Sequence, residues 1–141
     1  MSYVKGEAPG QTSLFPLSLD ELIPEEHLVR VISAYVSHLD LPALGFTKTS
    51  PKRTGRPPYD PADLLKLYLY GYLHRIRSSR RLEAECQRNV EVMWLLGRLA
   101  PDHKAVADFR RDNHAGFTAL CRAFVRFCRQ AVWSRGNWSP L

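Results

Sequence analysis

The sequence predicts an all-α fold: a compact bundle of about five to six helices, with an irregular N-terminal arm, a basic loop and a frayed C-terminal tail. Three observations lead there. Apolar residues recur at helical spacing, Asp, Ser, Pro and Gly stand where helices start and stop, and no stretch alternates polar with apolar as a half-buried strand would. The chain has 141 residues, 45% apolar and 24% charged, which suits one globular unit and neither a disordered chain nor a fibrous repeat.

Residues 1–20 carry Pro9, Gly10 and Pro16 and read as an irregular arm, with Leu14, Phe15 and Leu17 as contacts to the domain. Residues 21–133 read as the helical domain. Pro24 in a first turn, followed by Glu25 and Glu26, predicts a helix that continues through Leu28, Val31, Ile32, Tyr35, Val36 and Leu39 and ends before Pro42. Residues 47–58, TKTSPKRTGRPP, combine three prolines with four cations and predict an exposed basic loop. Asp60 and Pro61 then make a cap and first-turn pair for a helix apolar on nearly every side, which belongs in the middle of the bundle. Gly71 inside it weakens the helix by ~1 kcal/mol relative to Ala, a cost that makes sense where another backbone approaches closely. Ser78 or Ser79 caps a cationic helix to about Asn89, and a short apolar helix over 90–96 stops at Gly97. Asp102 caps a helix to about Asn113 with Val106 and Phe109 inward. The last helix, over about 115–132, buries Phe117, Leu120, Cys121, Phe124, Val125, Cys128 and Val132 and exposes Arg122, Arg126 and Arg129 as a stripe. Residues 134–141 read as a frayed tail.

Charge is distributed unevenly. Residues 1–46 carry a net −4, residues 47–89 a net +6 and residues 90–141 a net +4, and fifteen of the twenty cations are Arg. The guanidinium fork pairs with phosphate and with guanine edges, so a polyanion is the natural partner; the plainer alternative is a basic face that keeps helices soluble. No apolar run is long enough to span a membrane and the start lacks a signal-peptide pattern, which points to a cytoplasmic protein. Cys86, Cys121 and Cys128 form no C-x-x-C pair, so buried thiols are expected rather than a disulfide framework or a zinc site, and no metal or cofactor is expected.

Several clusters carry possible chemistry. Arg75, Arg77, Arg80, Arg81 and Arg88 fall within fourteen residues, a density that favours phosphate contact, with Glu83 and Glu85 placed to neutralise part of it. Residues 91–113 form a helix-turn-helix-like unit whose second helix presents Lys104, Arg110 and Arg111, although the turn is longer than in the tight DNA-binding version. Arg53 and Arg56 flank Gly55 in a Gly-Arg-Pro segment similar to minor-groove hooks, with Thr54 where such a hook has another Arg, and a solvated linker is the plainer reading. Asp102, Asp108 and Asp112 are the only compact acidic set. A cap at Asp102 and pairing of Asp108 and Asp112 with Arg110 and Arg111 explain them better than a two-metal site, so no catalytic residue is assigned.

The segments GRPPYDPADLLKLYLYGYL (55–73), IRSSRRLEAECQRNVEVMWLLG (76–97) and PDHKAVADFRRDN (101–113) resemble the N-terminal, InsH-like domain of bacterial insertion-sequence transposases, and the likeness covers about residues 13–132. The resemblance implies a helical domain that precedes an RNase H-like DDE catalytic domain, binds the element's terminal repeats and helps assemble the transposase multimer. It also implies a strand bearing the first catalytic Asp after the last helix. This chain instead runs through Trp133 and Trp138 to Leu141 without the three carboxylates, so the expectation is a truncated or frame-disrupted transposase, or a stand-alone remnant, that is not itself an enzyme.

The expected function is therefore that of a DNA-binding and assembly module in DNA transposition, with double-stranded DNA at insertion-sequence ends as partner. The expected contacts are Arg53, Arg56, Arg75, Arg77, Arg80, Arg81, Arg88, Lys104, Arg110 and Arg111. The alternative is a helical oligomerisation or inhibitory module without direct DNA binding, in which the helix around Gly71 and the acidic first helix pack on another copy or on full-length transposase.

Overall fold

Residues 2–14, 16–44, 46 and 59–133 are described by a computed structural model. Its middle is α3 (Pro61–Leu73), which Asp60 opens by accepting a hydrogen bond from the Ala62 amide at 2.8 Å, with Pro61 in the first turn. Leu64, Leu65, Leu67, Leu69, Tyr70 and Gly71 are all buried, so the all-round apolar pattern is matched by burial on more than one face. Against α3 pack α2 (Leu28–Ser37), α5 (Val90–Leu96) and α6 (His103–Asp112). The close approach expected at Gly71 is present. A Cβ there would sit 2.8 Å from the Ile76 carbonyl oxygen and 2.9 Å from a Leu82 methyl.

The N-terminal region departs from its expected course. A short helix, α1 (Leu19–Leu22), is closed by a capping box in which Ser18 and Glu21 each accept from the other's backbone amide. Leu14 and Leu17 are not contacts to the domain: they are 91% and 63% exposed. Attachment comes instead from Ile23, which is buried, and from Arg30. The Arg30 guanidinium donates to the carbonyl oxygens of Asp20, Ile23 and Pro24, pairs with the Asp20 carboxylate at 2.8 Å and lies over the Trp94 ring of α5 at 4.9 Å. Trp94 also donates to Asp20, and these two hydrogen bonds hold that carboxyl below its usual range. Because Arg30 occupies the carbonyls of this connection, Pro24 does not begin a helix. α2 begins at Leu28 and is capped by His27, whose Nδ1 accepts from the Val29 amide while Nε2 faces Glu91 at 2.9 Å.

α4 (Ser79–Arg88), capped by Ser78, packs chiefly on α6. Residues 91–113 form two successive helices, α5 and α6, joined by the connection over 97–102 as expected, and α6 packs mainly on α4. The Glu83 carboxylate accepts from the His103 backbone amide and lies 3.1 Å from the His103 ring, tying the start of α6 to α4. Those bonds hold the Glu83 carboxyl below its ordinary range. A carboxyl lowered on folding stabilises fully above its unfolded value, about 4.3, and the contribution is lost as pH falls through the folded value. Glu83→Gln should therefore unfold at a lower temperature than the parent at pH 7, and the gap should shrink as pH is lowered below about 4.

α7 (His114–Trp133) follows α6 after Asn113 and is fixed by aromatic contacts. Phe117 meets Tyr68, Phe46 and Phe109 edge-on at ring distances of 4.9, 5.4 and 5.5 Å, and Phe124, fully buried, meets Tyr35 of α2 at 4.9 Å. Gly116 lets the Phe46 ring close on α7, since a Cβ would stand 3.1 Å from it. Cys86 and Cys121 are buried thiols as expected, and Cys128 is partly buried. Among the described residues there is no strand and no helix long and apolar enough to cross a membrane. The basic loop over 47–58, the tail over 134–141 and Phe15 lie outside the described residues, as does the side chain of Val132.

Candidate nucleic-acid interface

The end of α3 shapes the candidate site. His74 closes the helix, Arg75 takes a left-handed conformation with φ 58°, and the Ile76 amide donates back to the Gly71 carbonyl at 2.7 Å while the Arg75 amide points to Tyr72. This is the Schellman arrangement, in which the left-handed position usually falls to Gly; α5 ends in the same way with Gly97 at φ 60°. A side chain with a Cβ in that region costs about 1 kcal/mol or more. The strained turn carries Arg75 and Arg77 to the surface beside α6 and α7, and Gly71 makes the turn tight enough to do so.

Between these elements runs a groove in two connected parts. The larger, about 410 Å³, has Gly71, Ile76, Phe117 and Cys121 below, and Arg75, Arg77, Arg110 and Arg122 around it. The smaller, about 280 Å³, is bordered by Arg77, Arg110, Arg111 and Ser79. Tyr68, Arg77, Arg110 and His114 belong to both parts. No Asp or Glu lines either part, and among the described residues Arg75, Arg77, Arg110 and Arg122 form no ion pair. Burial pushes the Tyr68 hydroxyl up to about 12, so it stays a neutral donor, and it bonds the Val106 carbonyl of α6. Burial also raises the Cys121 thiol. The floor is thus uncharged and the rim cationic.

The structure brings together four of the ten sequence-expected contacts, Arg75, Arg77, Arg110 and Arg111. Arg80 and Arg81 are exposed in the first turn of α4, directly after Ser79. Lys104 is exposed on α6 outside the groove lining. Arg88 is paired with Glu85 one turn earlier, and Arg111 is shared by Asp108 at 3.4 Å and Asp112 at 3.3 Å. Asp102 caps α6 through the Ala105 amide. The acidic set thus serves as a cap and as ion-pair partners, but both Asp108 and Asp112 turn to Arg111 and the expected pairing with Arg110 does not form; no group of three or more metal-ligating side chains occurs among the described residues. Since Glu83 is committed to α6 and Glu85 to Arg88, neither forms an ion pair with Arg80 or Arg81. Arg53 and Arg56 lie outside the described residues.

Three polar groove residues of α7 fall outside the ten expected contacts. His114, Thr118 and Arg122 recur every fourth residue along α7 and form a polar strip beside Phe117 and Cys121, a spacing visible in the sequence. Of the expected stripe Arg122, Arg126 and Arg129, only Arg122 lines the groove.

No curated protein and no solved structure gives a match. A family model described as Transposase domain (DUF772) matches residues 17–112, from just before α1 to the last residue of α6, so the α7 wall of the groove lies outside the match. The match spans more than half of the chain, and the chain belongs to the Transposase domain (DUF772) family.

Proposed function

We propose that this chain is the DNA-binding and assembly module of an insertion-sequence transposase, holding double-stranded DNA at the element's ends on the arginine-rimmed groove. One observation carries the reading: guanidinium groups from the end of α3, the α3–α4 connection, α6 and α7 converge on a surface with no carboxylate. Such convergence concentrates repulsion that an anion relieves, and the Arg fork matches phosphate oxygens. Arg80 and Arg81 extend the cationic surface along α4, and the phosphate contacts number about six.

Gel-shift titration on terminal-repeat and scrambled duplexes tests this. With about six phosphates neutralised, the slope of log K against log salt is about −5, so affinity falls roughly a thousandfold between 50 and 200 mM salt. No shift on either duplex at low salt rejects the reading.

Arg75 supplies a separate test, because its backbone conformation opposes its side chain's use. Arg75→Gly is expected to raise stability by about 1 kcal/mol in denaturant melts while reducing the salt slope by about one unit. Unchanged binding in a stabilised variant would remove Arg75 from the contact set.

The alternative, an oligomerisation module built on the helix around Gly71, has less support. The close backbone approach at Gly71 is made by Ile76 and Leu82 of its own chain, so a second copy is not needed to explain the glycine.

A further inference from the structure

We propose that the larger part of the groove receives one unpaired nucleotide of a DNA end, its base against the apolar floor and Tyr72 and its phosphate on the arginine rim. The inference rests on the DNA-binding reading above and concerns what the same site adds to it.

A phosphodiester held from outside requires a shallow cationic ridge. It leaves unexplained a cavity of about 410 Å³ floored by Gly71, Ile76, Phe117 and Cys121, a size that falls among small-ligand sites. The sorting of neutral floor and charged rim matches a nucleotide, whose base has apolar faces and whose phosphate is anionic. The wall also offers the Thr118 hydroxyl and the His114 ring to the polar edge of a base.

Tyr72 is the second observation. Tyr35, Tyr68 and Tyr70 each lie against another ring, and His74 is taken up by Tyr70 at 4.0 Å. The Tyr72 ring, 50% exposed on the groove wall, has no aromatic partner among the described residues. An aromatic ring left open beside unpaired arginines is what recognition of unpaired bases uses, because every base has a face to stack. A base already unpaired at a DNA end also avoids the energy of opening a duplex.

The test compares, by fluorescence anisotropy with the full chain, a blunt duplex, the same duplex with short single-stranded tails at its 3′ or its 5′ ends, and tails of equal length made abasic. One of the two tailed duplexes should bind about tenfold more tightly than the blunt one, and the abasic tail should return affinity to the blunt value. Tyr72→Ala should bring the tailed-to-blunt ratio to about one, and Tyr72→Phe should preserve it, with circular dichroism confirming that both variants keep their helices. Equal affinity for all tailed and blunt duplexes overturns the proposal, as does an abasic tail that keeps the advantage, since added phosphates would then explain it. Either result leaves salt-dependent binding of the blunt duplex standing, whereas loss of binding to every duplex would instead overturn the DNA-binding reading.

Discussion

Replacing Arg77 and Arg110 together with alanine is expected to weaken duplex binding roughly a hundredfold at low salt and to reduce the salt slope by about two units. These are the two arginines that border both parts of the groove. They come from separate elements, the α3–α4 connection and α6, so a phosphate bridging them would be gripped from two sides. Both side chains are exposed, and neither forms an ion pair among the described residues, so their removal should leave the melting temperature nearly unchanged. Arg98→Ala, exposed and outside the groove, serves as the reference and should change affinity by less than about twofold. A double variant that binds like the reference would mean that the convergent arginines do not hold the duplex.

The largest effect on stability is expected from Gly71→Val. The first added carbon would fall within 2.8 Å of a backbone carbonyl that cannot move without opening the turn, and within 2.9 Å of Leu82, which is fully buried. The branched side chain adds a second carbon on the same crowded side, so the loss should be about 3 kcal/mol or more despite the better helix propensity of valine. Chemical denaturation measures it. A variant of native stability would show that the Ile76 carbonyl is free to retreat. A partly destabilised one should lose the Ile76-to-Gly71 hydrogen bond first, visible as faster amide exchange at Ile76.

What was legible in the sequence followed from local rules. Asp60 with Pro61, Ser78, Asp102 and Gly97 each act at the helix end expected of them, because a cap depends on a few neighbouring atoms. Gly71 announced a close approach through its cost to the helix, and the approach exists. α1 was equally legible, as Ser18 and Glu21 have capping-box spacing, but a four-residue helix carries no periodic stripe to draw attention. The start of α2 was not legible. It depends on Arg30 reaching back to three carbonyls and across to Trp94, and nothing local to Pro24 records that.

The groove divides in the same way. The density of Arg75 and Arg77 was readable, whereas their meeting with Arg110 and Arg122 is a consequence of how α6 and α7 dock, decided by Phe117 among Tyr68, Phe46 and Phe109. Charge counts likewise gave no means of separating Arg88 and Arg111, which are bound to acids, from Arg77 and Arg110, which are not. The family match agrees with the resemblance carried by the blocks over 55–73, 76–97 and 101–113.

The acidic N-terminal segment settles on α5, and no residue of α1 or α2 lines the groove. If the groove holds DNA as proposed, this separation of acidic and arginine-bearing surfaces lets the field of the duplex turn the arginine side forward before any atoms touch. Productive collisions then outnumber those expected from random tumbling, and that advantage fades once dissolved ions shorten the reach of the field.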